Sequence, residues 1–245
     1  MNLDQLIMGA YRLVWFQHLH KAAGTYVIRR AMANGETFWP EHENGNPVDQ
    51  GEVIALWDMS PDELSSFIDE CEKKEVTFVA CEWGGPNFDV LHRDERVTLL
   101  TCLREPIKRL ISNYNYDHYW MWTESKNYQE YLNEGNLHSS PEYYTKIFAR
   151  GLLDTQVALT NLSKFDHVIV AEDGMNSLNK LGWINDSDTT HPTFGDKKRA
   201  AILFLKLRWF RLFNYLKNKK FTPPNNMNIE ELNTSDLTIY NSFKK

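Results

Sequence analysis

In the stretch FQHLHKAAGTYVIRR, Phe16 to Arg30, an apolar strand-like run (Leu13 to Phe16) breaks into a short loop holding Lys21 and Gly24. An amphipathic helix pattern then starts at Thr25. That order suits an anion. The backbone N–H groups of Ala23, Gly24 and Thr25 point outward from the first turn of the helix, where unsatisfied donors and the helix dipole both favour negative charge. Thr25 adds a hydroxyl and Lys21 a compact positive charge. A nucleoside-triphosphate loop, G-x-x-x-x-G-K-[ST], carries its lysine directly after the glycine. Here Lys21 precedes Gly24 by three, so the charge sits on the near side of the loop. Taken alone, the stretch is equally a plain strand-to-helix turn with a solvated lysine.

A second stretch, TCLREPIKRLISNYNY (101–116), repeats the layout: strand, Arg104, then a helix opened by Pro106. Arg104 leaves a strand end, where open α/β sheets bind ligands. Residues 104, 108 and 112 share a face if helical geometry begins near Arg104. Arg104 and Ser112 would then grip one phosphate, with Arg109 nearby, because guanidinium suits phosphate oxygens. Two anion grips at two strand ends imply a ligand with two anionic ends.

These residues need a scaffold, and local signals supply one. Short β-branched-rich runs predict strands at 13–16, 76–81 (VTFVAC), 97–103 (VTLLTCL) and 167–172 (HVIVAE). A helix is expected from Thr25 to about Ala33. Ser60-Pro61-Asp62-Glu63 is a capping box with Pro at the first helical position, opening a helix to about Lys74. Pro106 opens another through IKRLISNYNYDHYW, and helical patterns fill roughly 126–133, 141–160, 196–218 and 235–244. GMNSLNKLG is a short helix stopped by Gly182. Strands alternating with helices argue an α/β fold, a mostly parallel sheet with helices on both faces. No repeat or linker divides the chain, so 1–245 reads as a single domain.

Composition bounds the function. With 245 residues and 42% apolar content the chain can bury a sizeable core. Eight Trp, eleven Tyr and thirteen Phe argue against disorder. No run of about eighteen apolar residues is present, so no membrane span is expected. The first residues, MNLDQLIMGAYRLVWFQHLHK, make a poor signal peptide. Cys71, Cys81 and Cys102 are odd in number and lack metal-ligand spacing, which suits buried reduced thiols and a cytoplasmic protein. The net charge of −6 hides an asymmetry. Residues 36–75 hold twelve acidic side chains against Lys73 and Lys74, and 196–220 hold nine Lys and Arg against one Asp. A general nucleic-acid binder is usually basic overall, so a locally anionic partner fits better and no nucleic acid is expected.

HLHKAAGT resembles the 5′-phosphosulfate loop of the carbohydrate sulfotransferases that use 3′-phosphoadenosine 5′-phosphosulfate (PAPS), of the form H-x-x-K-[TS]-[AG]-G-T. LREPIKRLISNYNY resembles their 3′-phosphate motif, R-[DE]-P-x-x-R-x-x-S-x-Y-x-Y. The order continues with a late strand ending in Glu (VIVAE) and with NTSDLTIYNSF, similar to N-x-x-D-x-x-[IL]-Y, so the resemblance spans nearly the whole chain. Two departures stand out: His20 replaces the usual Pro, and Ala22 replaces Thr or Ser. The resemblance implies a P-loop-like three-layer sandwich and in-line transfer of a sulfuryl group from PAPS, as co-substrate, to an acceptor hydroxyl. It also implies a cofactor site of His18, Lys21, Ala22, Ala23, Gly24, Thr25, Arg104, Arg109 and Ser112. Lys21 would neutralise charge on the bridging oxygen of the leaving nucleotide, and Arg104 and Ser112 would orient PAPS through its 3′-phosphate.

A general base must take the hydroxyl proton. Relatives carry a His or Glu between the two motifs. Here VACEWGG puts Glu82 at a strand end, where partial burial is expected to raise its pKa to a useful value. His92 and His42 are the other candidates. No metal is demanded: His18 and His20 alternate in or after a strand and are expected to point opposite ways. Trp83 and YNYDHYWMW (114–122) offer stacking faces for sugar rings, or simply pack. The basic stretch 197–220 suits cofactor phosphates, an anionic glycan, peripheral contact with an acidic membrane surface, or a solvated helix face. HPTFGDKK before it is read as a segment closing over the nucleotide. A P-loop kinase and a non-catalytic glycan- or nucleotide-binding protein stay open as alternatives. The missing G-K-[ST] and the absence of a clear magnesium-binding Asp count against the kinase.

Overall fold

The computed structural model describes residues 11–125, 128–186, 197–206, 208–209, 212–213 and 230–245. Its centre is a four-stranded parallel sheet. The strands are β1 (Leu13–Gln17), β5 (Phe78–Cys81), β6 (Val97–Leu103) and β7 (His167–Val170), in the order β5-β1-β6-β7. Registers such as Trp15 with Val79, Trp15 with Leu99 and Thr101 with Val168 place β1 between β5 and β6. All five β1 residues are buried, as a central parallel strand requires.

Alternation along β1 builds two cores. Val14 and Phe16 face α1 (Gly24–Ala33), meeting Val27, Ile28 and Ala31 together with Trp183 and the 3₁₀ helix Met175–Leu181. Leu13 and Trp15 face the other layer. That layer holds α2 (Pro61–Lys73), α3 (Phe88–Arg93), α6 (Tyr143–Phe148), α7 (Thr155–Leu162) and the C-terminal helix Thr234–Phe243. The result is a three-layer α/β sandwich. Each fully buried large side chain contributes about 1.5–3 kcal/mol of burial free energy, so the two faces of β1 alone anchor both helical layers.

The local signals for the longer elements agree with the structure. Ser60 accepts from the Glu63 N–H while the Glu63 side chain accepts from Ser60, and α4 (Pro106–Trp120) opens on its proline. Three details differ. The pattern over 141–160 is two helices, α6 and α7, because Arg150 and Gly151 both turn left-handed (φ 54 and 89) and Asp154 caps a new start. β7 ends at Val170 and runs into a 3₁₀ turn at Ala171–Asp173. A small antiparallel sheet, β2 (His42–Glu43), β3 (Asn46–Asp49) and β4 (Glu52–Val53), and the helix α3 had no expected counterpart. Strands of two residues are too short to carry a period.

Of the pattern over 126–133, α5 (Tyr128–Leu132) is described, and of 196–218 a helix Lys197–Leu205. The HPTFGDKK segment lies outside the described residues except for its last two lysines. The three cysteines are buried and unpaired. Among the described residues no helix is long and apolar enough to cross a membrane.

Candidate active site

The chain goes from β1 to β5 on one side and then returns to β6 on the other. The carboxyl ends of β1 and β6 therefore flank the point where strand order reverses, the usual ligand crevice of an open α/β sheet. Three loops meet there: 18–23 after β1, 82–87 after β5, and 104–105 after β6. Gln17 ties the first two, its side-chain amide donating to the carbonyls of Cys81 (2.9 Å) and Gly84 (3.0 Å).

In the first loop His18 stacks on Phe16 and lies across Gly24, where a Cβ would come within 1.8 Å of His18 Nε2. Gly24 is needed for space. The left-handed backbone belongs instead to Lys21 (φ 62) and Ala23 (φ 66). Such non-glycine conformations cost on the order of 1–3 kcal/mol each and gather at functional sites. Ala23 is the N-cap of α1 and provides no side-chain cap, whereas Ser60, Asn87, Glu105 and Asp154 cap the starts of α2, α3, α4 and α7. The first turn of α1 thus keeps its donors for something other than its own side chains.

Arg104 comes to this loop from β6. Its Nη1 donates to the Lys21 carbonyl at 3.1 Å, across 83 residues of sequence. Tyr144 holds the Arg104 backbone, its hydroxyl accepting from the Arg104 N–H (3.1 Å) and donating to the Arg104 carbonyl (2.7 Å). Glu172 accepts from the Glu105 N–H through one oxygen and from the Tyr240 hydroxyl through the other. The VIVAE glutamate and the late tyrosine therefore brace the Arg104 turn. Lys21 Nζ rests 3.8 Å from the centre of the Tyr116 ring. Burial, and then the charge of Arg104, push its ammonium down to about 8. Neither cation forms an ion pair among the described residues.

The phosphate grip expected along α4 needs correction. Helical geometry begins at Pro106, with Glu105 as its cap, so Arg104 precedes the helix and helical spacing does not by itself set it on one face with Ser112. Ser112 is half-buried and makes no polar contact with a described residue. Arg109 is fully buried. Its guanidinium stacks on Tyr143 at 4.3 Å and donates to the His138 carbonyl, which leaves no surface to offer a phosphate.

Glu82, at the end of β5, is buried at 8% exposure and gathers both loop histidines. His20 Nδ1 meets Oε1 at 3.1 Å, His18 Nδ1 lies 3.4 Å from Oε2, and the Asn46 amide donates to Oε2 at 3.4 Å. The expectation that His18 and His20 point opposite ways fails because β1 ends at Gln17 and strand alternation ends with it. The expected pKa direction is also reversed. Burial does work against the charged carboxylate, but the two imidazoles overcome it and hold Glu82 well below its ordinary range. His20 itself is pushed down, chiefly by burial and against the pull of Glu82. His138 stacks on His20 at 4.5 Å and is lowered to about 3 by burial. Exposed His42 packs on Phe38 and exposed His92 ends α3, and no hydrogen bond or ring contact joins either to Glu82.

Aromatic rings continue outward from this cluster. Trp83 lies against His138, and Tyr116 leads to Trp120 and Trp122, all three tryptophans being exposed. In the described part of the basic stretch Leu203 is buried, Phe204, Leu205, Trp209 and Phe213 are exposed, and Arg208 pairs with Glu124 at 3.2 Å. Sequence reasoning missed Tyr144, Asn46 and His138, which reach the site from loops and helices with no local motif, whereas Tyr116 lay in the tyrosine-rich run 114–122 read as stacking faces or simple packing. Among the described residues no group of three or more His, Cys, Asp or Glu is placed to hold a metal ion. The chain matches no protein-family model and no curated protein.

Proposed function

We propose that the chain is a sulfotransferase on a P-loop-like sandwich, moving a sulfuryl group from PAPS to a carbohydrate hydroxyl. The observation that carries this reading is the hydrogen bond from Arg104 to the Lys21 carbonyl. It brings the cation of the 3′-phosphate motif and the cation of the phosphosulfate loop to adjacent strand ends. Two partly buried cations with no ion-pair partner among the described residues, beside an uncapped helix start, suit a ligand with two anionic groups. Thr25 and the first-turn N–H groups would hold the 5′ end and Arg104 the 3′-phosphate. Lys21 would meet charge growing on the bridging oxygen as the nucleotide leaves. The exposed Trp83, Trp120 and Trp122 suit the apolar faces of sugar rings.

Thermal unfolding tests the two-ended site. Adenosine 3′,5′-bisphosphate at 100 times its dissociation constant should stabilise the protein by about 2.7 kcal/mol. AMP at equal concentration, lacking the 3′-phosphate, should shift the melting temperature far less. Equal shifts would remove Arg104 from the nucleotide site. Transfer of labelled sulfate from PAPS to an oligosaccharide array separates an enzyme from a protein that only binds the nucleotide.

Lys21 gives the site a pH dependence. Its ammonium titrates near 8 in the free protein, and an anion favours the charged form. Affinity for the bisphosphate should therefore hold below about pH 8 and fall as pH rises through it. Calorimetric titration at pH 7 and pH 9 reads this directly, and the added loss at pH 9 should vanish in Lys21→Met. A flat profile in the wild type would place Lys21 outside the anion site.

A further inference from the structure

We propose that His20 is the general base of the transfer, with Glu82 as the residue that positions it; the inference rests on the sulfotransferase reading. An ionised carboxylate can only accept, so the 3.1 Å contact between Glu82 Oε1 and His20 Nδ1 places the imidazole proton on Nδ1. The other nitrogen, Nε2, is then a lone-pair acceptor. It is buried and has no hydrogen-bond partner among the described residues. Leaving such an atom unsatisfied costs about 1–3 kcal/mol, a cost that an incoming hydroxyl would remove. The ring is held by Glu82 on Nδ1, by His138 stacked at 4.5 Å and by Tyr116 edge-on at 5.8 Å, while the backbone N–H of His20 donates to the Tyr143 hydroxyl. Lys21 rests on that same Tyr116 ring, so base and leaving-group cation lie against one aromatic side chain.

Glu82 is poorly suited to be the base itself. Both its oxygens are engaged by His18, His20 and Asn46, and a strongly ionised carboxylate is a weak proton acceptor. The arrangement instead follows the logic of a carboxylate that fixes an imidazole tautomer and stabilises the imidazolium once formed. In the step, the acceptor O–H proton passes to His20 Nε2 while the acceptor oxygen's electron pair forms the new O–S bond. The bond from sulfur to the bridging oxygen breaks, and its electron pair leaves on the 5′-phosphate facing Lys21. The imidazolium then releases its proton to solvent, and no other reactant is required.

The test measures transfer of labelled sulfate from PAPS to an array of neutral, amino- and uronic-acid-containing oligosaccharides, with bisphosphate-induced melting shifts on the same samples. His20→Gln should lose about 100- to 10,000-fold in kcat while keeping the nucleotide-induced shift, which shows that it folds. His20→Ala should regain turnover when imidazole is added. The groups facing His20 are Glu82, Lys21, His18, His138, Tyr116 and Tyr143. Glu82 raises the imidazole's proton affinity, whereas Lys21 and His18 lower it. Glu82→Gln should therefore lower kcat and also move the acid limb of the pH–kcat profile to lower pH, which loss of a merely structural contact would not do. Near-normal turnover in His20→Gln would overturn the proposal. So would an acid limb that persists in His20→Gln and disappears in Glu82→Gln, since the carboxylate would then be the base. A wild-type protein that transfers no sulfate to any acceptor would overturn the sulfotransferase reading and this one with it.

Discussion

Replacing Lys21 by Ala is expected to lower kcat by about 100- to 1,000-fold, or roughly 2.7–4 kcal/mol, the scale of removing one preorganised electrostatic donor. The physical case is the state of the charge. The ammonium is partly withdrawn from water, lies over the Tyr116 ring, and has Arg104 as its largest charged influence. A cation held in that way is worth most where negative charge is newly formed, on the oxygen that sulfur leaves. Binding of the bisphosphate product should weaken much less, because Arg104 and the start of α1 remain. Lys21→Arg should not restore turnover, since a planar fork does not replace a point charge on a strained left-handed residue. Single-turnover kinetics with product affinity measured beside them would show the split. Turnover near wild type in Lys21→Ala would reduce Lys21 to a binding or surface residue.

The second large effect is on stability. Asp236→Ala should destabilise the fold by about 3–5 kcal/mol, the scale of leaving several buried donors unsatisfied at about 1–3 kcal/mol each. Asp236 is fully buried and accepts from the Tyr144 N–H, the Thr145 N–H and the Thr145 hydroxyl, each at 2.9 Å. It thereby caps α6, whose own N-cap residue, Glu142, provides none. Glu142 returns the favour to the C-terminal helix, accepting from the N–H groups of Ser235 (3.0 Å) and Asp236 (2.8 Å). Each helix start is therefore capped by a side chain from the other. For a chain of this size the melting temperature should fall by roughly 6–20 °C. Asp236→Asn, which keeps one carbonyl acceptor, should recover part of the loss. A change within 2 °C for Asp236→Ala would mean that the cap contributes little. Because Tyr144 holds the Arg104 backbone, turnover at permissive temperature should also weaken.

What the sequence determined by itself is what neighbours along the chain decide. The alternation of Leu13 to Phe16, the Ser60 capping box, the proline opening α4 and the glycine ending the Met175–Leu181 helix each rest on a few adjacent residues. Those elements compel a parallel sheet covered on both faces, and they put Lys21 and Arg104 at strand ends. Tertiary structure decided the rest. Strand order made β1 and β6 neighbours and so joined Arg104 to the Lys21 loop. It enclosed Arg109 between Tyr143 and His138, where the spacing had suggested a phosphate ligand. Above all, it reversed the charge logic of Glu82. Burial, the feature legible from an apolar strand end, raises a carboxyl; His18 and His20 lower this one from 64 and 62 residues away in sequence. A protonation state depends on every charge and dipole within a few ångströms, and only the folded chain determines which groups those are.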